Sequence, residues 1–368
     1  MGDVAVVGAG VAGLLLALNL RSNVVVFESG RPGLRGGRCP GIVSADTLAK
    51  LPEGWRFVEQ AYDSMELAVP ELALRVSITS RGVFAYKIDR RAHEERLAEL
   101  LEARGVELRE RTRVYRAEPL RDCVRLRWCG GERVYDAAVI AEGYPPILAR
   151  QCNLSPHVEE RLGVHASARA TGVSSSTLYV VYSPKLLGGF AWMAPVDEKH
   201  CSLGVVAERR EAWGLLRRAN VLLRKQAGVE AELEGGLRGG YVLRGYPRAL
   251  GRGRLFVFGD AAATVKSLSG GGLYAIAALA GPLASVVDSI AVGGEPERST
   301  LKRIERVLAA LRRSYILAER VDRTIAASPR LGLKLEVEVQ KLEYDDHAAA
   351  LAQILTNVRR LARATAAR

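Results

Sequence analysis

The sequence predicts an α/β fold: a parallel-sheet domain, an antiparallel sheet inserted into it, and a helical C-terminal tail. Three observations predict it. The chain opens with a strand–glycine turn–helix unit over residues 3–20. Between about 151 and 247 short strand-like segments alternate with turns, as an antiparallel sheet requires. Parallel-strand texture returns at Leu255, and helical spacing takes over from 295.

The opening unit makes the first domain Rossmann-like. Val4-Ala5-Val6-Val7 reads as a buried parallel strand. Gly8-Ala9-Gly10-Val11-Ala12-Gly13 follows, then the apolar helix formers Leu14 to Leu20. In this G-x-G-x-x-G, Gly8 permits the tight turn and Gly10 lets the backbone approach a pyrophosphate. Gly13 lets the helix pack on the strand. The helix start offers free N–H groups to phosphate. A second strand, Val24 to Phe27, ends in Glu28, whose carboxylate can accept from ribose hydroxyls. This is a dinucleotide site, which by itself does not separate NAD from FAD.

The remaining elements follow in order. Residues 29–50 form a Gly-, Arg- and Pro-rich loop containing Arg38-Cys39-Pro40-Gly41. Leu72–Thr79 and Val83–Ile88 read as strands. Asp89 can cap a helix from Arg90 to Arg104, closed by Gly105. Val106–Leu108 is a strand. Val114–Ala117, Val124–Trp128 and Arg133–Tyr135 form a meander turning at Gly130-Gly131. Ala137–Ile140 leads to Ala141-Glu142-Gly143. In the insert, Leu178–Tyr182, Gly189–Met193 and Cys201–Ala207 are strands, with a helix near 211–227. Leu255–Phe258 is the next parallel strand and Leu273–Val292 a long apolar helix. Leu301, Ile304, Leu308, Leu311 and Tyr315 form one helical face, and Leu351, Ile354, Val358 and Leu361 another. The domain boundaries are therefore 1–150 and 248–294 for the two parts of the nucleotide domain, 151–247 for the insert, and 295–368 for the tail.

Composition bounds the function. The chain has 368 residues, 48% hydrophobic, with net charge +12; 9 lysines and 44 arginines make up its 53 basic residues. A basic surface suits an acidic protein partner or anionic lipid; no basic stripe interleaves with aromatics, so a nucleic-acid binder on a vestigial fold ranks last among the readings. Cys39, Cys123, Cys129, Cys152 and Cys201 are odd in number and show no C-x-x-C, pointing to a reducing cytosol. His93, His157, His165, His200 and His347 have no metal-ligand spacing, so no metal is expected. Leu273–Val292 could span a bilayer by length, but Pro282 and Asp288 interrupt it and a core helix is the expectation. Arg359, Arg360 and Arg363 could bring the last helix to anionic lipids, a peripheral membrane contact.

The second strand tip selects FAD. Gly259-Asp260 ends an apolar strand, and Gly270-Gly271-Gly272 opens the Leu273 helix. An aspartate there can accept from a polyol such as a ribityl chain. A helix N-terminus beside it favours the negative charge of reduced flavin.

With these motifs in order, the sequence resembles the geranylgeranyl reductase family, FAD enzymes built like p-hydroxybenzoate hydroxylase. The resemblance covers most of residues 1–290. The family's Y-x-W-x-F-P motif followed by G-x-G appears as Phe190-Ala191-Trp192-Met193-Ala194-Pro195, then Gly204-Val205-Val206. Phe190, Ala194 and Val206 depart from it, and Glu142-Gly143 stands for the hydroxylase-type D-G. The resemblance implies flavin contacts at Ala12, Glu28, Cys39, Gly41, Arg90, Val114, Asp260, Gly272 and Leu273. It implies an isoprenoid slot at Phe190, Trp192, Pro195 and Gly204. Arg90 at a helix start opposes the dipole rule, which a phosphate partner would explain. Cys39 is the candidate for passing a proton near the flavin. The expected activity is reduction of isolated C=C bonds in geranylgeranyl chains of a membrane lipid precursor. Without a second strand-borne glycine motif for NAD(P)H, the electron donor is either an acidic ferredoxin or NAD(P)H. The alternatives are an aromatic-ring hydroxylase and a flavoprotein that binds an apolar ligand without turnover.

Overall fold

The computed structural model describes residues 1–33, 36–208, 212–354 and 356. One sheet has six strands in the order Gly251–Arg252, Leu255–Val257, Ala137–Ile140, Asp3–Val7, Asn23–Phe27, Glu107–Arg109. All its pairings are parallel except that of Gly251–Arg252. Its central strands are buried along their apolar runs, Val4–Val7 and Ala137–Ile140. The helix Val11–Asn19 packs against both Arg90–Ala103 and Leu273–Ala291. Leu273–Ala291 is apolar enough to span a bilayer, and its buried residues Ala275, Leu279, Leu283 and Val287 belong to the core of this domain.

The second sheet has nine strands and reaches beyond the predicted insert. Its path runs Glu230–Leu233, His157–Thr171, His200–Ala207, Gly189–Pro195, Thr177–Ser183, Ser64–Val69, Leu74–Ser80, Lys334–Val339, with Arg238–Tyr246 paired to His157–Thr171. Two strands thus come from before residue 151 and one from the tail. The hairpin Ser64–Ser80 can join because Ser64–Val69 pairs in parallel with Thr177–Ser183. The period-2 pattern divides the sheet. Gly189–Pro195 sends Ala191 and Met193 to the side covered by the helix Ala212–Ala227. Phe190, Trp192 and Ala194 go to the opposite face.

The tail is not wholly helical. Arg298–Ala327 is one long helix whose Ile304 and Leu311 are buried against the first domain. Arg244, 2% exposed, staples it to the sheet through Asp322 and through Glu319 at 2.7 Å. Lys334–Val339 then pairs in parallel with Leu74–Ser80. Residues 340–354 fold back across the Trp192 face, with Leu342 buried and Tyr344, Ala350 and Ile354 packed against it. The positions Val358, Leu361, Arg359, Arg360 and Arg363, read above as a continuing helix, lie outside the described residues.

Candidate functional site

The first strand tip has the geometry its glycines imply. Gly8 has φ +109°, and a Cβ there would meet the Ala141 carbonyl oxygen at 2.3 Å. A Cβ on Gly13 would stand 1.9 Å from the Gly8 oxygen, so helix and strand are as close as backbones allow. Gly10 differs: nothing lies within 4 Å of the Cβ it lacks. The turn leaves open the space that a pyrophosphate needs. Glu28, 8% exposed, accepts from the Ala9 amide at 2.8 Å and the Gly30 amide at 2.7 Å. These bonds lock the carboxylate beside the glycine turn. The Thr112 amide bonds to the Glu28 carbonyl oxygen at 2.8 Å, which brings buried Val114 alongside.

The second tip meets the first directly. Gly259 has φ +69°, and a Cβ on it would lie 2.6 Å from the Ala12 Cβ. Asp260 faces the glycine loop, its Oδ1 3.6 Å from where a Gly272 Cβ would be. Burial pushes the Asp260 carboxyl up from its ordinary value, with Arg90 opposing. Gly272 precedes the helix, and Leu273 begins it, buried.

Arg90 ties the remaining loop to this centre. It is buried at the first position of its helix, which Asp89 caps through the Arg91 and Ala92 amides. Its partner in the protein is Glu94, one turn on. Its Nε remains buried without a partner. Burial works against its charge, but Glu94, with Cys39 and Asp260 adding, holds the guanidinium above its ordinary value. A Cβ on Gly41 would press on the Ile88 oxygen at 2.3 Å and on Arg90 Cγ at 3.1 Å. Cys39 is exposed on the same loop. So Gly10, Ala12, Glu28, Cys39, Gly41, Arg90, Asp260 and Gly272 surround one region. Its open turn, orphaned Arg90 Nε and half-buried aspartate fit a dinucleotide with a polyol chain.

Comparison with known proteins agrees. Residues 3–144 match the family described as FAD dependent oxidoreductase. This chain carries an FAD-dependent oxidoreductase domain. FAD is the cofactor that family's description names. The fold of the flavoprotein is shared with a geranylgeranyl bacteriochlorophyll reductase-like protein from Thermoplasma acidophilum, at TM-score 0.74 and 15% identity, over 98% of each chain. It is similar to the flavin-dependent halogenase CmlS, at TM-score 0.64 and 19% identity, over 88% of this chain and 63% of the other. It is also similar to an FAD-bound variant of the halogenase PltM, at TM-score 0.65 and 14% identity, over 88% and 77%. No curated protein matches it by sequence.

The predicted substrate motif lies on the far face of the nine-stranded sheet. Trp192, 7% exposed, and half-buried Phe190 have ring centroids 5.8 Å apart. Gly204 is the seat of the indole: a Cβ there would fall 2.0 Å from the ring. The Pro195 carbonyl accepts from the Tyr62 hydroxyl at 2.7 Å. Trp192 Nε1 is buried with no partner.

Sequence reading missed a polar cluster here. Lys266, 5% exposed, lies in the loop between Asp260 and Gly270, and its amide donates to the Gly271 oxygen at 3.0 Å. Its Nζ donates to Asp345 Oδ1 at 2.8 Å and lies over the rings of Tyr274 and Tyr344. Asp345 also accepts from Ser44 and from Thr47 Oγ1 at 2.7 Å. Burial pulls the Lys266 amine down, against Asp345. Burial also works to raise Asp345, but Lys266 and the two hydroxyls outweigh it and hold its carboxyl below the ordinary value. The available signal was a lysine inside a flavin-type loop, in a chain with only nine.

Proposed function

We propose that this oxidoreductase reduces isolated C=C bonds of an isoprenoid chain, as in maturation of a geranylgeranyl membrane lipid. The observation that carries the reading is the apolar face of Phe190, Trp192, Ala194 and Val206, walled by Tyr62 and Phe84. It joins the loops of Gly41 and Gly270 through Tyr344 and Asp345. An aromatic substrate needs polar groups to orient it; an isolated alkene needs a dry slot and close positioning. The name and near-complete overlap of the Thermoplasma neighbour support the same reading.

In this scheme Glu28, Arg90 and Asp260 hold FAD. Reduced FAD supplies the hydride that one alkene carbon receives. The sheet face positions the chain and excludes water. Cys39 holds the proton that the other carbon takes as the π bond breaks. The basic surface receives an acidic electron donor such as a ferredoxin, and NAD(P)H is the other candidate. Contact with a membrane surface would deliver the lipid.

The test is anaerobic mixing of the reduced, FAD-loaded protein with a geranylgeranyl lipid, followed by mass spectrometry. A gain of two hydrogens per reduced bond is expected. No gain, with NADPH oxidation and oxygen uptake on adding a phenol, would give the protein to the hydroxylases instead.

A further inference from the structure

The predicted isoprenoid slot is already filled, and by the protein's own chain. Leu342, Tyr344, Ala350 and Ile354 pack into the same hydrophobic cluster as Phe190, Trp192 and Val206. The Tyr344 ring lies 5.9 Å from that of Phe84. Residues 347–354 form a short helix capped by Asp346, whose carboxylate accepts from the Ala348 amide at 3.0 Å and the Ala349 amide at 3.1 Å, but among the described residues no ladder ties the strap to the sheet beneath it. After Val339 there is no ladder, and the Glu343 amide donates only to the Gln353 side chain, at 3.3 Å.

What holds the strap is Asp345. It is bonded at once to Ser44 and Thr47, which follow the Cys39 loop, and to Lys266, which precedes the Gly270–Gly272 loop. The tail is therefore pinned to both loops of the flavin site by one carboxylate. Two polar atoms at the seam are buried and unmet, Trp192 Nε1 and His347 Nδ1. A short helix and its lead-in that share no ladder with the sheet, and that one carboxylate anchors to both loops, can open as a local unit.

We propose that residues 340–354 are an exchangeable wall of the ligand slot, latched by Asp345 on Lys266, Ser44 and Thr47, and displaced by the isoprenoid chain. This rests on the substrate reading above. An apolar chain replaces Leu342, Tyr344 and Ile354 on the same face, so slot length is set by how far the strap withdraws. Buried ion pairs suit such a latch, because desolvation offsets much of their attraction and both partners can be rehydrated at modest loss.

Hydrogen exchange of the full-length, FAD-loaded protein tests this. Geranylgeraniol is the probe, and Trp192 fluorescence reports its binding. Saturating geranylgeraniol should speed exchange of amides 340–350 at least tenfold and leave Leu74–Ser80 unchanged. Asp345→Asn should give the same acceleration without ligand and bind the probe more tightly. Thr47→Val strands no charge and should give a smaller acceleration of the same sign, so misfolding of the first variant would not decide the matter. Exchange at 340–350 that neither variant alters, or that slows when geranylgeraniol binds, would overturn the latch. Variants that loosen the strap while no form binds geranylgeraniol would instead overturn the substrate reading and the occupant named here.

Discussion

Two glycines of one motif should respond to the same substitution in opposite ways. Gly10 caps its helix at φ −78° and ψ 176°, a conformation alanine adopts freely, and nothing lies within 4 Å of the added methyl. Gly10→Ala should therefore fold at least as well as the parent, gaining about 0.4–1 kcal/mol from the lowered entropy of the unfolded chain. Its methyl enters the space reserved for the pyrophosphate. At about 1–3 kcal/mol for such overpacking, FAD affinity should fall roughly 5- to 150-fold. Gly13→Ala meets the Gly8 oxygen at 1.9 Å, which the backbone can relieve only by prising helix from strand. That variant should lose stability before any ligand is considered. Thermal unfolding of the apoprotein and a flavin fluorescence titration separate the two. A Gly10→Ala protein with parental FAD affinity would refute the placement of the pyrophosphate at this turn.

Other expectations follow from single residues. Gly204→Ala should drive the indole of Trp192 from its seat, lowering stability by about 1–3 kcal/mol and changing Trp fluorescence; an unchanged spectrum would contradict the 2.0 Å approach. His347 is held down to about 3 by burial and then by Lys266, while the unfolded chain titrates near 6.5. The fold refuses a proton that the unfolded chain accepts, so stability should drop below pH 6.5 by up to about 1.4 kcal/mol per unit until about pH 3. His347→Gln should flatten that slope in thermal scans run from pH 7 to pH 4. Arg244→Met leaves Asp322 and Glu319 without their shared cation. About 3 kcal/mol should be lost, the low end for a broken buried pair because both carboxylates reach water; denaturant unfolding measures it.

The cofactor end was legible in the sequence because its chemistry is local. Turn, helix start and acidic strand end lie within 28 residues, and each glycine has a steric cause visible at its own position. The antiparallel sheet was legible only in part. His157–Thr171 carries two glutamates and four arginines or histidines among its apolar residues, so neither strand template marked it, although it pairs with three partners. Lys334–Val339 alternates as a strand should, with Leu335, Val337 and Val339 on one side. Its partner is Leu74–Ser80, far back in the chain, and no local pattern states such a pairing. Asp345 was invisible for the same reason: it is an ordinary charged residue until the tail returns to Lys266.

That return has a consequence for how the protein is made. The edge of Leu74–Ser80 stays bare until the last stretch of polypeptide is available to cover it. Non-local parallel pairing forms slowly. On a ribosome, both glycine-bearing turns are therefore synthesised while the aromatic surface beneath the tail is still uncovered.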